Sequence, residues 1–415
     1  MLKNILSLYS LQLLSYAVPL LLTPYLARTL GPEMFGVNAI WVNIVAYLSL
    51  LSNWGFDLSA SQQVAQCNND PERLRQIFWD TLLARALLAL AGVAILLVLF
   101  AIFPALRAHW QVGVASSLAL LGAVVTVGWF LQGLEKMGAY ALASLVGRVG
   151  SVPVTFLFVH SPRDAALAAG IQALAVCVSA GASLRSAFRL ADLLPARFNL
   201  KGAFDQIGHG AQLFMSTAAI SLYTYTNILA VGFIAGPVQA GLFDGADRIK
   251  RAVQALTGPI SNAAYPRINR LVVEAHEEAR TTMVWLLVVQ AAIGLVLTLG
   301  VFMTAPWATA ILLGPAYAKA TPIIQCLSLN IFLIGVSTVL GVNMMLPLGM
   351  KRAFTTIIVS SGLLNLVLLA VLVKPYGAYG AALAVTLTEL VVTAAMAYHL
   401  RPRGLLARLP FGRPN

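Results

Sequence analysis

Arg85 and Arg148 have the chemistry that most needs explaining, because each falls inside an apolar stretch long enough to cross a bilayer. A guanidinium in such a place is expensive and calls for a watery cavity or an acidic partner. Its planar fork of donors suits the oxygens of a phosphate. Arg148 lies nine residues into its stretch, roughly 14 Å deep at the helical rise. From there a side chain cannot easily reach the head groups. Arg85 is seven residues in, and its long stem could still snorkel to the interface. Arg28 closes the first stretch, where an interfacial anchor and a substrate contact are both open readings.

A second set of charges runs from Asp244 to Arg251. Asp244 and Arg248 are four apart, as are Asp247 and Arg251, so local helical pairs can form. Lys250 leaves the set net positive, and Arg248 and Arg251 share a helical face. The preferred reading is a cationic wall beside a central cavity. Gln212, Ser216, Tyr223, Thr224 and Asn227 recur at helical spacing as a polar stripe on an otherwise apolar helix. Tyr223, Thr224 and Asn227 suit a hydroxyl-rich ligand, although Ser and Thr can serve only as glue between helices. Asn38, Asn43 and Asn53 could do similar work. Glu389 is a carboxylate deep in an apolar stretch. Proton or cation coupling and partnership with an arginine both remain open for it.

Other chemistry finds no residues to carry it. No GxxxxGK[ST] loop is present for ATP hydrolysis. The five His residues are scattered, and Cys67, Cys177 and Cys326 have neither paired nor metal-ligand spacing. No nucleophile–base pair can be placed, so no enzyme, metal or cofactor is expected. The net charge of +12 could suggest nucleic acid, but the basic residues sit in short connectors between apolar runs, so no nucleic-acid partner is expected.

The elements that must hold these residues are membrane helices. With 59% hydrophobic and 10% charged residues, against about 25% charged in soluble domains, the chain requires lipid as its solvent. About 20 apolar residues cross the hydrocarbon, and twelve stretches qualify. They are 5–27, 35–55, 78–103, 114–134, 139–160 and 164–187, then 208–235, 248–266, 282–304, 322–347, 352–373 and 376–399. All are expected to be helices, since lipid leaves backbone groups no other partner. The eighth, with Arg248, Lys250, Arg251, Pro259, Asn262 and Pro266, is the least apolar. The first stretch lacks a cleavage signature and is kept in the mature chain.

Loop charge sets the orientation. Of the 27 basic residues, Arg28, Arg107, Arg163, Lys319 and Lys374 fall in the connectors of one side and five fall inside spans. The others fall on the opposite side, so both termini are expected to be cytoplasmic, in a multi-pass inner membrane protein. A connector at about 188–207 separates an N-terminal lobe of six helices (1–187) from a C-terminal one (208–400), and a basic tail follows at 401–415. Gly31-Pro32-Glu33-Met34-Phe35-Gly36 after the first span is echoed by Gly236-Pro237-Val238-Gln239-Ala240-Gly241 after the seventh. Repeats with an even number of spans share one topology and place a substrate path between the lobes. The fold class expected is an all-α polytopic membrane protein of about twelve helices in two six-helix lobes around a central cavity.

Several motifs resemble a known family. Pro24-Tyr25-Leu26-Ala27-Arg28-Thr29-Leu30-Gly31 with Phe35-Gly36 is similar to the opening of Wzx-type polysaccharide flippases, members of the multidrug/oligosaccharidyl-lipid/polysaccharide exporter superfamily. Gly55-Phe56-Asp57-Leu58-Ser59-Ala60-Ser61 resembles their connector between the second and third spans. Trp129-Phe130-Leu131-Gln132-Gly133-Leu134-Glu135-Lys136-Met137, the most specific match, resembles the end of their fourth. Ser221-Leu222-Tyr223-Thr224, Gly241-Leu242-Phe243 and Ala246-Asp247-Arg248-Ile249 are similar to the start of their second half. The likeness is thinner after about residue 270.

The resemblance implies a MATE-like exporter fold with a cationic cavity and alternating access. It implies a substrate of undecaprenyl-pyrophosphate-linked glycan, for O-antigen, capsule or exopolysaccharide. A polysaccharide polymerase and a chain-length regulator are the implied partners beside membrane lipids. Arg28, Arg85, Arg148, Arg248 and Arg251 would then face the head group, and Tyr223, Thr224 and Asn227 the sugars. A proton or sodium gradient is the energy source in view, with no bound cofactor. A peptidoglycan-precursor flippase, a multidrug/cation antiporter and a membrane glycosyltransferase are the rivals. The first handles the same pyrophosphate, the second favours carboxylates over buried arginines, and the third needs acidic residues on long external loops.

Overall fold

The computed structural model describes residues 2–67, 70–194 and 199–401, without the side chains of 2–17, 19–20, 105, 216–217 and 219–224. Among the described residues the chain is helical and has no strand. It divides into two compact units, Met1–Tyr225 and Thr226–Asn415.

In the first unit α1 (Leu2–Asn53), α2 (Phe56–Gln66), α3 (Pro71–Ile102), α4 (Pro104–Arg107) and α5 (Trp110–Val125) are followed by α6 (Gly128–Gly133), α7 (Met137–Phe158) and α8 (Ala165–Leu190). The division between units falls inside α9 (Leu200–Ala235). The second unit continues with α10 (Pro237–Gln254), α11 (Gly258–Glu274), α12 (His276–Ala308), α13 (Thr321–Thr338) and α14 (Lys351–Leu400). Among the described residues, eight helices are long and apolar enough, by length and composition, to cross a membrane. The chain is a multi-pass membrane protein.

The 50 residues of α14 would extend about 75 Å as one rod, far more than the ~30 Å of hydrocarbon. The helix instead turns back on itself at Gly377 (φ 56°, ψ −133°). A Cβ at Gly380 would strike the Leu372 carbonyl, and Asn365 Nδ2 donates to Thr388 Oγ1 at 3.4 Å, so the two halves form a hairpin. α1 breaks in the same way at Gly31. With the short α2 and α4 set aside, α1 and α14 each counted twice, and α5–α6 and α10–α11 each as one, the described residues give twelve helical segments where the sequence has twelve apolar stretches.

The eighth stretch needs correction. The expected span 248–266 straddles a turn, because α10 ends at Gln254 and α11 starts at Gly258. Pro259 occupies the first turn of α11, where a missing N–H costs nothing. The charges of α10 belong to an amphipathic helix that starts eleven residues before the expected span, at Pro237.

The two Gly-Pro steps of the internal echo take one backbone conformation. Gly31 has φ 70° and ψ 171°, and Gly236 has φ 89° and ψ 171°. In each case the proline starts the next helix. This region of backbone space is open essentially only to glycine. A Cβ on either would meet nothing within 4 Å, so the demand is conformational rather than steric. Gly31→Ala is expected to destabilise by about 1–3 kcal/mol, read as thermal unfolding in detergent. Gly150→Ala, equally uncrowded but helical, should not destabilise, since alanine favours helix.

The first half of α9 is fastened to the corner between α1 and α2. Trp54 Nε1 donates to the Ile207 carbonyl at 2.8 Å, and the Trp54 ring stacks on Phe214 at 3.9 Å. Gln63 and Gln206 exchange two amide hydrogen bonds of 3.1 and 2.9 Å. The core of that end holds Phe56, Val64, Phe78, Trp129, Phe130 and Leu131. The corresponding core of the second unit gathers Met283, Leu286, Met344, Met345 and Met396.

Candidate functional site

α3 starts from Asp70, whose carboxylate accepts from the Arg73 backbone N–H at 3.1 Å, and from Pro71 in its first turn. Its third and fourth turns carry Arg85 into the interior of the first unit, where the residue is 1% exposed. Nη2 donates to Asn53 Oδ1 at 2.6 Å and to the Ala123 carbonyl. Ser52 Oγ donates to the Arg85 carbonyl at 3.2 Å, which ties α3 to the end of α1. Nε and Nη1 are buried with no acceptor among the described residues. Arg85 therefore does not snorkel; its guanidinium is held inside the bundle.

Arg148 is brought to the same place by α7. Gly147 has no side chain where the Ala175 carbonyl of α8 presses closest, so α7 and α8 meet tightly beside Arg148. Ser179 Oγ adds a 3.0 Å bond to the Ser144 carbonyl across that contact. Arg85 and Arg148 both line a cavity of about 610 Å³ within the first unit, a size typical of small-molecule sites. Asn53, Ser116, Gln172 and Tyr225 contribute polar groups to its wall, and Ala119, Ala123, Ala169 and Ala173 keep it open. Among the described residues neither arginine makes an ion pair. Arg148 is exposed, whereas Arg85 is a buried cation, which is costly without a counter-charge unless an anion or water meets it. Chemically, the cavity can accept an oxyanion.

The other candidate residues lie elsewhere. Arg28 is exposed on α1, three residues before the Gly31 break, and is not part of the cavity wall. In the second unit Arg248 Nε reaches Asp244 Oδ2 at 2.7 Å. Arg251 reaches Asp247 at 2.9 Å and Asp244 at 3.6 Å, and Lys250 reaches Asp247 at 2.9 Å. The pairing that four-residue spacing allowed is present. Asp244 is 1% exposed, so Asp244→Ala, which takes a buried carboxylate away from Arg248 and Arg251, is expected to destabilise by about 3 kcal/mol. Chemical denaturation should show it, and Asp192→Ala, which breaks the exposed Arg75 pair, should cost under about 1 kcal/mol.

Asn227 is buried in the second unit, as is Glu389, on the second half of α14. Thr393 Oγ1 donates to the Glu389 carbonyl at 2.8 Å. The side chains of Ser216, Tyr223 and Thr224 lie outside the described residues, as do Lys3, Arg197 and the tail from 402. Asn43 back-bonds to the Ala39 carbonyl at 2.8 Å. Asn53 is the asparagine that enters the site.

Of the polar wall residues named above, Ser116, Gln172 and Tyr225 were not singled out by sequence. An amide in the middle of an apolar stretch was the available signal for Gln172. A lone serine gives none. No group of three or more His, Cys, Asp or Glu that could hold a metal ion occurs among the described residues.

Known proteins share this sequence pattern and this architecture. The family described as "Polysaccharide biosynthesis protein" matches residues 1–272. A protein named "Putative O-antigen transporter" from Escherichia coli (strain K12) is 31% identical over 408 residues, 97% of either chain. Its namesake from Shigella dysenteriae is 29% identical over 394 residues, 95% of this chain and 98% of that one. Among solved structures, the lipid II flippase MurJ in an inward closed conformation has a TM-score of 0.73 at 12% identity, over 98% of this chain and 89% of that one. An inward-facing multidrug resistance MATE transporter has a TM-score of 0.66 at 15% identity, over 94% and 98%. At such identities the likeness concerns the fold alone.

Proposed function

The chain belongs to the polysaccharide biosynthesis protein family, and we propose on that footing that it is a flippase for polysaccharide repeat units. The substrate is an oligosaccharide linked through pyrophosphate to undecaprenol, carried from the cytoplasmic to the periplasmic leaflet of a bacterial inner membrane. The product feeds O-antigen, capsule or exopolysaccharide synthesis. Dragging a pyrophosphate and its sugars through hydrocarbon is prohibitive without a polar path, whereas the polyprenyl tail can remain in lipid. Two six-helix lobes that alternate access to either side would supply that path, with both termini cytoplasmic.

One observation carries the reading: Arg85 and Arg148 line one cavity, and among the described residues neither makes an ion pair with a carboxylate. A guanidinium 4 Å from a phosphate charge contributes about 4 kcal/mol at an effective dielectric of 20. An exporter of cationic drugs would be repelled by the same wall. Arg28, Arg248 and Arg251 are proposed as further head-group contacts, and Tyr223, Thr224 and Asn227 as contacts to the sugars. Glu389 is proposed as the group through which a proton or sodium gradient couples to transport. A polymerase and a chain-length regulator would take the product.

The test is genetic. In a strain without its own repeat-unit flippase, the gene should restore surface polysaccharide, and in a strain depleted of its peptidoglycan-precursor flippase it should not restore growth. The reverse pair of results would replace the substrate with the peptidoglycan precursor.

A further inference from the structure

The cavity around Arg85 holds two more polar groups whose hydrogen bonds are unaccounted for. Ser116 Oγ on α5 and Gln172 Nε2 on α8 are buried, line the cavity, and have no partner among the described residues. Their neighbours behave differently. Ser117 Oγ donates to the Gly113 carbonyl at 2.7 Å, and Thr126 Oγ1 to the Gly122 carbonyl at 2.7 Å. Hydroxyls on an apolar helix ordinarily satisfy themselves by this back-bond, and Ser116, 4% exposed, does not. Buried donors left without acceptors lose the full desolvation energy of the group, so they mark places where a ligand supplies the acceptor.

With Arg85 Nε and Nη1, the unpartnered atoms of this wall are four groups able to donate, from α3, α5 and α8. Donors arriving from three helices suit an acceptor with oxygens in several directions. A tetrahedral phosphate has them; a planar carboxylate does not. Resting on the flippase reading, we infer that Ser116 and Gln172 complete a donor cradle with Arg85, and that they select a phosphate group over other anions. Arg148 adds charge to the same chamber.

Binding to the purified full-length protein in detergent tests this. The probes are polyprenyl pyrophosphate, polyprenol, a carboxylate-headed lipid of equal chain length, and inorganic pyrophosphate. Wild type should hold the pyrophosphate lipid more tightly than the other two lipids. Ser116→Ala and Gln172→Leu should each weaken it about tenfold, and leave the carboxylate lipid within about twofold. Gln172→Glu keeps the volume and reverses the donor pattern, so it should lose at least as much, which a packing defect would not explain. Inorganic pyrophosphate separates the sources of the phosphate. Weaker competition than by the lipid assigns the cradle to a lipid-borne group, and equal competition to a free anion; both support the cradle if the variants lose the ligand. Variants that bind the pyrophosphate lipid like a discriminating wild type would overturn the assignment of Ser116 and Gln172 and leave the flippase reading standing. A wild type that binds polyprenol as well as the pyrophosphate lipid would remove both.

Discussion

Arg85→Ala is expected to reduce surface polysaccharide at least about thirtyfold in a flippase-deficient strain, with the protein still in the membrane. Truncating one side of a buried, hydrogen-bonded charge contact costs 2–5 kcal/mol or more, and thirtyfold corresponds to about 2 kcal/mol. Nη2 of Arg85 holds Asn53 and Ala123, while Nε and Nη1 have no partner among the described residues and are the donors proposed for the ligand. Arg85→Lys keeps the charge and loses the fork. One ammonium offers three donors from a single nitrogen in place of five spread over a planar fork, so it meets the Ala123 carbonyl, Asn53 and a phosphate less well. The lysine variant should therefore fall between wild type and alanine. Polymer is scored on gels of cell-surface glycan, and protein amount by immunoblot of the membrane fraction. Wild-type polymer from Arg85→Ala would take the residue out of the transport path.

The second large effect concerns stability. Trp129→Ala is expected to destabilise the protein by about 4 kcal/mol. Trp129 is fully buried, and Phe78 and Phe130 lie 6.0 and 5.6 Å from it between ring centroids. Nearby, a Cβ on Gly133 would come within 2.6 Å of the Val64 side chain, so α6 packs on α2 with no spare room. The loss would show as a lower unfolding temperature in detergent and as less protein in the membrane. Phosphate-lipid affinity of the folded fraction should stay within about twofold of wild type, because Trp129 is not part of the cavity wall. A large drop in affinity without a drop in stability would contradict this assignment.

These two residues show what the sequence could and could not convey. Apolar length and the Gly-Pro steps at 31 and 236 were legible as helices and breaks, because lipid and glycine-only backbone leave few alternatives. The motif around Trp129 was legible as a family signature, but its role is packing between α2, α3 and α6. The break at 255–257 was hidden, because polar residues and prolines erase the apolar signal that marks a span. At the site, Arg85 and Arg148 stood out as charges in apolar helices. Their meeting in one cavity depends on α1 and α5 packing α3 on one side and α7 and α8 on the other, which spacing along the chain does not encode. Arg248 and Arg251 carried the same type of signal, yet Asp244 and Asp247 hold them. Ser116 and Gln172 became visible once three helices had been brought around Arg85.

The most direct measurement is translocation by purified protein in proteoliposomes that contain a labelled polyprenyl-pyrophosphate oligosaccharide, read as label exposed to an external glycosidase over time. Wild type is expected to expose the inner-leaflet pool, with Arg85→Ala near the protein-free rate. Equal rates for wild type, Arg85→Ala and empty liposomes would contradict a basic cavity that carries a phosphate-linked glycan across the membrane.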